Sequence, residues 1–395
     1  MTQDPEAGRW DIFCRVVDNF GDVAFAWRLA RSIAREHRKP TRLWLDDLTV
    51  LAKLRPEIDA ARASQGLEGV EIARLREDLG EGDVADVVVE TFGCDPPESY
   101  VLAMARRDPK PRWINLEYLS AEDWVEGSHA LPSPNPRLPL VKHFFFPGFT
   151  PRTGGLLRED SLLVRRDEFQ ADEGAQQAFW RSLAGRAPPD NTLKVSLFSY
   201  LGAPVESLVR ACVRSPGAVW LVATHGTQTG NLRSLLEKAN AARKPGGKRR
   251  QTEIIEIPFL AQDRYDQLLW ACDVNFVRGE DSFVRAQWAG RPFVWNIYPT
   301  DDGAHWVKMA AFLARYTEGL ERAPTAALTG LWEAWNRRGE VAGDERMRPG
   351  LAESWAGLVA RREVIGGHAR AWSNRLGARA DLASALVDFV DNVLK

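Results

Sequence analysis

Neither a G-x-G-x-x-G fingerprint nor a Walker A segment occurs in this chain, which weakens dinucleotide and P-loop nucleotide readings alike. No D-x-D triplet is present either, although Asp46-Asp47 and Asp301-Asp302 are adjacent pairs. Enzymes that hold a sugar diphosphate through a divalent cation gather carboxylates around that ion. Any diphosphate bound here would therefore be met by protein cations and helix dipoles, and no metal and no cofactor are expected. The six histidines (His37, His129, His143, His225, His305, His368) are scattered without ligand spacing, and there is no G-x-S-x-G nucleophile elbow. The four cysteines, Cys14, Cys94, Cys212 and Cys272, form no C-x-x-C pair. Three of them lie in apolar runs, where a reduced thiol behaves as a small hydrophobe, so a reducing cytoplasm is expected. An apolar run of about 18 residues is missing, as is a basic start followed by an apolar stretch, so neither a membrane span nor a leader is expected. An excess of one charge sign is absent too. The net charge is −2, which gives no global case for nucleic acid or an anionic membrane as partner. The most basic run, residues 243–250, is broken by Gly and Pro and reads as a solvated loop.

What is present is an ordinary globular composition over 395 residues, with 45% hydrophobic and 27% charged side chains. That length is more than one typical core and suits two domains. Fifteen tryptophans are many for this length, and the default reading is core packing. Strand-like runs at 10–17, 41–45, 70–73, 86–92 and 112–119 alternate with helical segments at 23–37 and 97–107. The Pro/Gly-rich passages at 131–155 and 186–190 break the rhythm, and the domain boundary is expected there. The alternation then restarts, with strands at 193–199, 218–224, 253–257, 274–277 and 292–297. Helices at 205–214, 231–239, 264–272 and 281–289 separate them. Beyond Asp302 the pattern is almost wholly helical. This is β-α-β order, expected to give α/β domains with parallel, doubly wound sheets.

Three junctions could carry chemistry. The segment Val274 to Trp288 reads as a buried strand, a Gly turn and a helix opening on Glu280-Asp281-Ser282. Open N–H groups at a helix start, with Arg278 beside them, suit a diphosphate, and Glu280 suits sugar hydroxyls. The plainer alternative is a capped helix whose acidic first turn answers the dipole. At the first junction, Val17 to Asp22, Asp18 and Asp22 bracket a tight turn at Gly21. Asp22 reads either as a pocket carboxylate or as an N-cap for a helix beginning at Val23. Phe198 and Tyr200 follow one strand and Phe259 to Gln262 another, at the sheet edge that carries Arg278. They would give a base an aromatic face and an amide, or serve simply as core.

Together these landmarks resemble the bacterial elongation factor P arginine rhamnosyltransferase family. The matching segments are 10–28 (WDIFCRVVDNFGDVAFAWR), 113–127 (WINLEYLSAEDWVEG), 142–157 (KHFFFPGFTPRTGGLL) and 274–299. Ala261 and Asn296 stand where that family commonly has Pro and His. The resemblance implies a GT-B architecture, two Rossmann-like lobes with a C-terminal helical segment. Residues 1–160 would form the acceptor lobe, with 366–395 packing back on it, 161–190 a linker, and 191–365 the donor lobe. It implies an inverting transfer of L-rhamnose from dTDP-β-L-rhamnose to an arginine of elongation factor P, which helps ribosomes stalled at proline runs. It assigns Asp22 as general base, with Asp18 and Glu280 as the other essential carboxylates. Asn19, Phe20, Gly21, Phe198, Tyr200, Phe259, Gln262, Arg278, Gly279, Asp281 and Ser282 are implied donor contacts. Asp18 and Glu117 are expected on the acceptor side.

A guanidinium is a poor nucleophile, because its pKa exceeds 12 and its lone pairs are delocalised. Paired carboxylates can hold it by charge-assisted bonds, localise density on one nitrogen and accept the proton as the C–N bond forms. Lobe closure would exclude water. Two rival readings are a GT-B rhamnosyltransferase with a lipid or small-molecule acceptor, and a non-catalytic nucleotide-sugar binding module. No convincing basic amphipathic face supports a membrane-associated version of the first. The coexistence of Asp18, Asp22 and Glu280 argues against the second.

Overall fold

Among the described residues thirteen strands fall into two sheets, and the chain divides into two units. The computed structural model describes residues 8–16, 20–224, 232–242, 251–337 and 350–394. Asp18, Asn19 and the basic run 243–250 lie outside the described residues.

The first unit comprises Met1–Leu162 and Leu376–Lys395. Its strands are β1 (Trp10–Cys14), β2 (Thr41–Leu45), β3 (Ser64–Leu67), β4 (Val70–Arg74), β5 (Val87–Thr91), β6 (Arg112–Leu116), β7 (Pro132–Pro134) and β8 (Val141–Phe145). They run in the order β3-β4-β2-β1-β5-β6-β8-β7, parallel except where the outermost strands, β3 and β7, pair antiparallel with β4 and β8. β1, β2 and β5 are buried on both faces, which is why they read as continuous apolar runs rather than alternating ones. One face packs Phe13, Trp44, Val88 and Trp113 against Tyr100 and Met104 of the helix Glu98–Arg106. The Pro-rich passage 131–155 supplies β7 and β8, and the division between the units falls after it, between Leu162 and Leu163. Pro132 and Pro134 are tolerated because β7 is an edge strand, where a missing N–H breaks no inner ladder. The tail returns as the helix Leu382–Asp388, capped by Asp381, and Lys39 pairs with Asp391 at 2.8 Å.

The second unit is Leu163–Arg375. Its strands are β9 (Leu193–Leu197), β10 (Val219–Thr224), β11 (Thr252–Ile257), β12 (Val274–Arg278) and β13 (Phe293–Asn296). They are all parallel, in the order β11-β10-β9-β12-β13. The segment 161–190, expected as a linker, is packed structure. It forms the helices Leu162–Ala171 and Glu173–Ala184, and Phe179 and Trp180 of the second are buried against Trp220, Ile257 and Leu268. Asp172 caps that second helix by accepting from Ala175 N, and Gly185 ends it in the left-handed region. Among the described residues, no helix is long and apolar enough to cross a membrane.

Candidate functional site

In an open parallel sheet, ligands bind beyond the carboxyl ends of the strands where the chain order reverses, because the flanking loops diverge to opposite faces. In the first sheet that point lies between β1 and β5. Next after β1 in the chain comes the helix Gly21–Arg35, with Phe20 at the N-cap position and no side-chain capping bond. The helix therefore starts two residues earlier than the sequence pattern indicates, and Asp22 sits inside its first turn rather than capping it. Asp22 is only 3% exposed. It lies near Cys14, whose thiol is pushed well up by burial, with the Asp22 charge adding to the effect.

Two strands along, Glu117 follows β6 and is half-buried. Its backbone N–H donates to Phe145 O at 3.0 Å, and its Oε1 accepts from Asn115 Nδ2 at 2.7 Å. At the ends of β5 and β6, the Phe92 ring stacks on Tyr118, with centroids 4.2 Å apart, and meets Phe25 at 5.1 Å. Phe92 has φ 57, an unusual conformation for a bulky side chain. The sequence reading missed this aromatic group, and the only signal for it was Gly93 directly after the strand.

In the second sheet the reversal falls between β9 and β12. Arg278 ends β12. Its Nη1 donates to Ser199 O at 3.2 Å, and its guanidinium carbon lies 4.3 Å from the Phe198 ring centroid and 4.8 Å from that of Tyr200. Phe198 and Tyr200 thus flank a cation, a role the sequence reading did not give them. Desolvated contacts of this kind are worth up to about 2 kcal/mol. Asn296 Oδ1 accepts from Tyr200 N at 2.8 Å, which fixes that aromatic from the β13 side. Gly279 is the N-cap residue of the helix Glu280–Trp288, with φ 67 and ψ −175. Trp295 Nε1 donates to Gly279 O at 2.9 Å.

The next three residues, Glu280, Asp281 and Ser282, are all buried. Lys308 Nζ stands 3.8 Å from Glu280 Oε2. The Tyr265 hydroxyl lies close to Ser282, Asp281 and Arg278, and burial pushes its pKa above the ordinary range. Gln262 is buried at the start of the helix Gln262–Ala271, and Phe259 is half-buried just before it. The second edge thus combines an oriented guanidinium, the first turn of a helix, a hydroxyl and a carboxylate. Backbone with φ near 67 and ψ near 180 is accessible essentially only to glycine. Gly279→Ala is accordingly expected to lower stability by about 1–3 kcal/mol, read from the urea unfolding midpoint. An unchanged midpoint would mean that the turn relaxes without strain.

A solved structure described as "Structural basis for EarP-mediated arginine glycosylation of translation elongation factor EF-P" is 33% identical to this chain. It covers 98% of this chain and 99% of its own, with a TM-score of 0.64. MurG of Acinetobacter baumannii shares the fold at a TM-score of 0.51 and 13% identity. Together with the two doubly wound units, the 33%-identical relative places the chain among the glycosyltransferases of the GT-B class.

The protein-arginine rhamnosyltransferase of Pseudomonas putida is 44% identical over 385 residues, covering 98% of this chain and 99% of its own length. The same-named protein of Pseudomonas aeruginosa is 42% identical over 380 residues, covering 96% and 98%. Residues 10–391 match the family described as "Elongation-Factor P (EF-P) rhamnosyltransferase EarP". The chain belongs to that family.

Proposed function

We propose that this enzyme transfers L-rhamnose from dTDP-β-L-rhamnose to one arginine side chain of elongation factor P, inverting the anomeric centre. The modified factor would then act on ribosomes stalled at proline runs, in the cytoplasm. The observation that carries the reading is the placement of Asp22 within family membership. It is a nearly fully buried carboxylate in the first turn of a helix that it does not cap, at the chain reversal of the first sheet.

Asp22 takes the proton released as the guanidinium nitrogen attacks C1. Asp18, outside the described residues, is assigned as its partner carboxylate. Glu117 receives a second face of the guanidinium, its carboxylate oriented by Asn115. In the second unit, Arg278, the N–H groups at the start of the helix Glu280–Trp288, and Ser282 meet the diphosphate as it gains charge. Glu280 accepts from the sugar hydroxyls, while Phe259 and Gln262 meet the base. Phe198 and Tyr200 act on the donor through Arg278, whose guanidinium they hold in one plane.

The product distinguishes this mechanism from a double displacement. Inversion of a β-linked donor leaves an α-linked rhamnose on the arginine, and the anomeric one-bond coupling in an NMR spectrum reports which isomer forms. A β-linked product would refute the single-displacement role of Asp22. Protein cations hold the diphosphate in this account, so transfer is expected to persist undiminished in excess EDTA. Loss of transfer that Mg²⁺ or Mn²⁺ restores would show that a divalent ion supplies the charge assigned to Arg278.

A further inference from the structure

Glu90 is fully buried beneath the carboxyl edge of the first sheet, one residue before the end of β5. One oxygen, Oε1, accepts from Lys142 Nζ of β8. The other, Oε2, has no hydrogen-bond partner among the described residues. Asn115 is the register partner of Glu90 on the neighbouring strand β6, so the two side chains leave the same face of the sheet side by side. The Asn115 amide gives its Nδ2 to Glu117, at 2.7 Å, and its buried Oδ1 also lacks a partner. The opposite orientation would set Oδ1 against the Glu117 carboxylate, acceptor against acceptor, which disfavours turning the amide round as long as Oδ1 has a donor on its other side. Two buried acceptors on adjacent strands, each missing a donor, are reconciled by one hydrogen between them. A protonated Glu90 supplies it.

We propose that Glu90 is a positioning residue for arginine transfer: anchored by Lys142, its carboxyl O–H donates to Asn115 Oδ1 and locks the amide that presents Glu117 to the acceptor guanidinium. The inference rests on the reading of Glu117 as an acceptor contact. Burial raises the Glu90 pKa from 4.5 to about 7, against the opposing pull of Lys142. The other groups around it do not reverse that balance. Asp95, on the turn after β5, adds to the rise, and its carboxylate is exposed. Cys94 on the same turn has its thiol pushed up to about 12 and stays neutral through the assay range, with Arg15 of the segment after β1 beyond it. The Trp113 indole of β6 lies beside the carboxyl and favours its charged form, but its Nε1 meets no hydrogen-bond geometry. Below about pH 7 the O–H is present and the amide is held. As pH rises through that value the proton leaves, the carboxylate faces Asn115 Oδ1, and the amide turns away from Glu117.

The test measures KM and kcat for elongation factor P from about pH 6 to about pH 8.5 with the parent enzyme, Glu90→Gln and Glu117→Gln. A lost hydrogen bond to a charged group weakens binding by about tenfold or more. The parent KM is therefore expected to rise by about that factor across the range, with kcat changing much less. Glutamine at position 90 accepts from Lys142 and donates to Asn115 at every pH, so Glu90→Gln should hold the low-pH KM throughout. Glu117→Gln should show a raised KM at every pH and no rise through neutrality. A parent KM that is flat through neutrality overturns the proposal, as does a Glu90→Gln profile that still rises. If Glu117→Gln leaves KM at the parent value, the acceptor-contact reading itself is wrong, and that outcome is distinct from the other two.

Discussion

A folded Asp22→Asn enzyme is expected to lose about 10²–10⁴ in turnover, and more if the carboxylate also orients the guanidinium, while its affinity for dTDP stays near that of the parent. The substitution keeps the shape of the side chain and removes its capacity to accept a proton. As a helix charge in a buried setting, Asp22 is worth up to about 2 kcal/mol, and it makes no N-cap for Asn to lose. A structural role therefore predicts a fall in Tm with the turnover of the folded enzyme nearly intact. The catalytic role predicts the reverse pattern, collapsed turnover at a nearly unchanged Tm. Calorimetry with single-turnover kinetics on the same preparation separates the two, and near-normal turnover would remove Asp22 from the mechanism.

Arg278→Ala should have the second-largest effect. The guanidinium is held by the Ser199 carbonyl and lies over the rings of Phe198 and Tyr200, so it is oriented before any donor arrives. Removing one preorganised donor from a developing oxyanion typically costs about 10²–10³ in kcat. Because the charge on the diphosphate grows toward the transition state, kcat should fall further than donor affinity does. Arg278→Lys should recover only part of the loss. An ammonium restores the charge but not the planar fork that two aromatic faces and a carbonyl hold in place. Full recovery with lysine would mean that only net charge matters at this edge. An unchanged kcat in Arg278→Ala would place the diphosphate elsewhere.

Much of the fold was legible because the inner strands are buried on both faces. Thr41 to Leu45, bounded by Pro40 and Asp46, could be read to the residue. The strand–Gly–helix passage at Val274 to Trp288 was clear because Gly279 sits where only glycine fits. β8 was not legible, hidden inside a proline-rich passage whose prolines are harmless only because β7 lies at the edge, a fact of sheet order. The helix Glu173–Ala184 was read as linker because charged and small residues surround its two anchors. That Phe179 and Trp180 reach Trp220 is decided by tertiary packing. At the site, the residue types and the sheet edge were readable, but the pairings were not. Nothing in the spacing of Phe198, Tyr200 and Arg278 says that the two rings clasp the cation, because β9 and β12 become neighbours only through the strand order. The burial of Glu90 beside Asn115 was hidden in the same way, since two strands had to pair in register before the two residues became neighbours.

Intact-mass analysis of elongation factor P, after incubation with this enzyme and dTDP-β-L-rhamnose, tests the central claim most directly. The account predicts a gain of one deoxyhexose per molecule, mapped by fragmentation to a single arginine and absent with Asp22→Asn. An unmodified mass with active parent enzyme and intact donor, or a deoxyhexose on a side chain other than arginine, would contradict it.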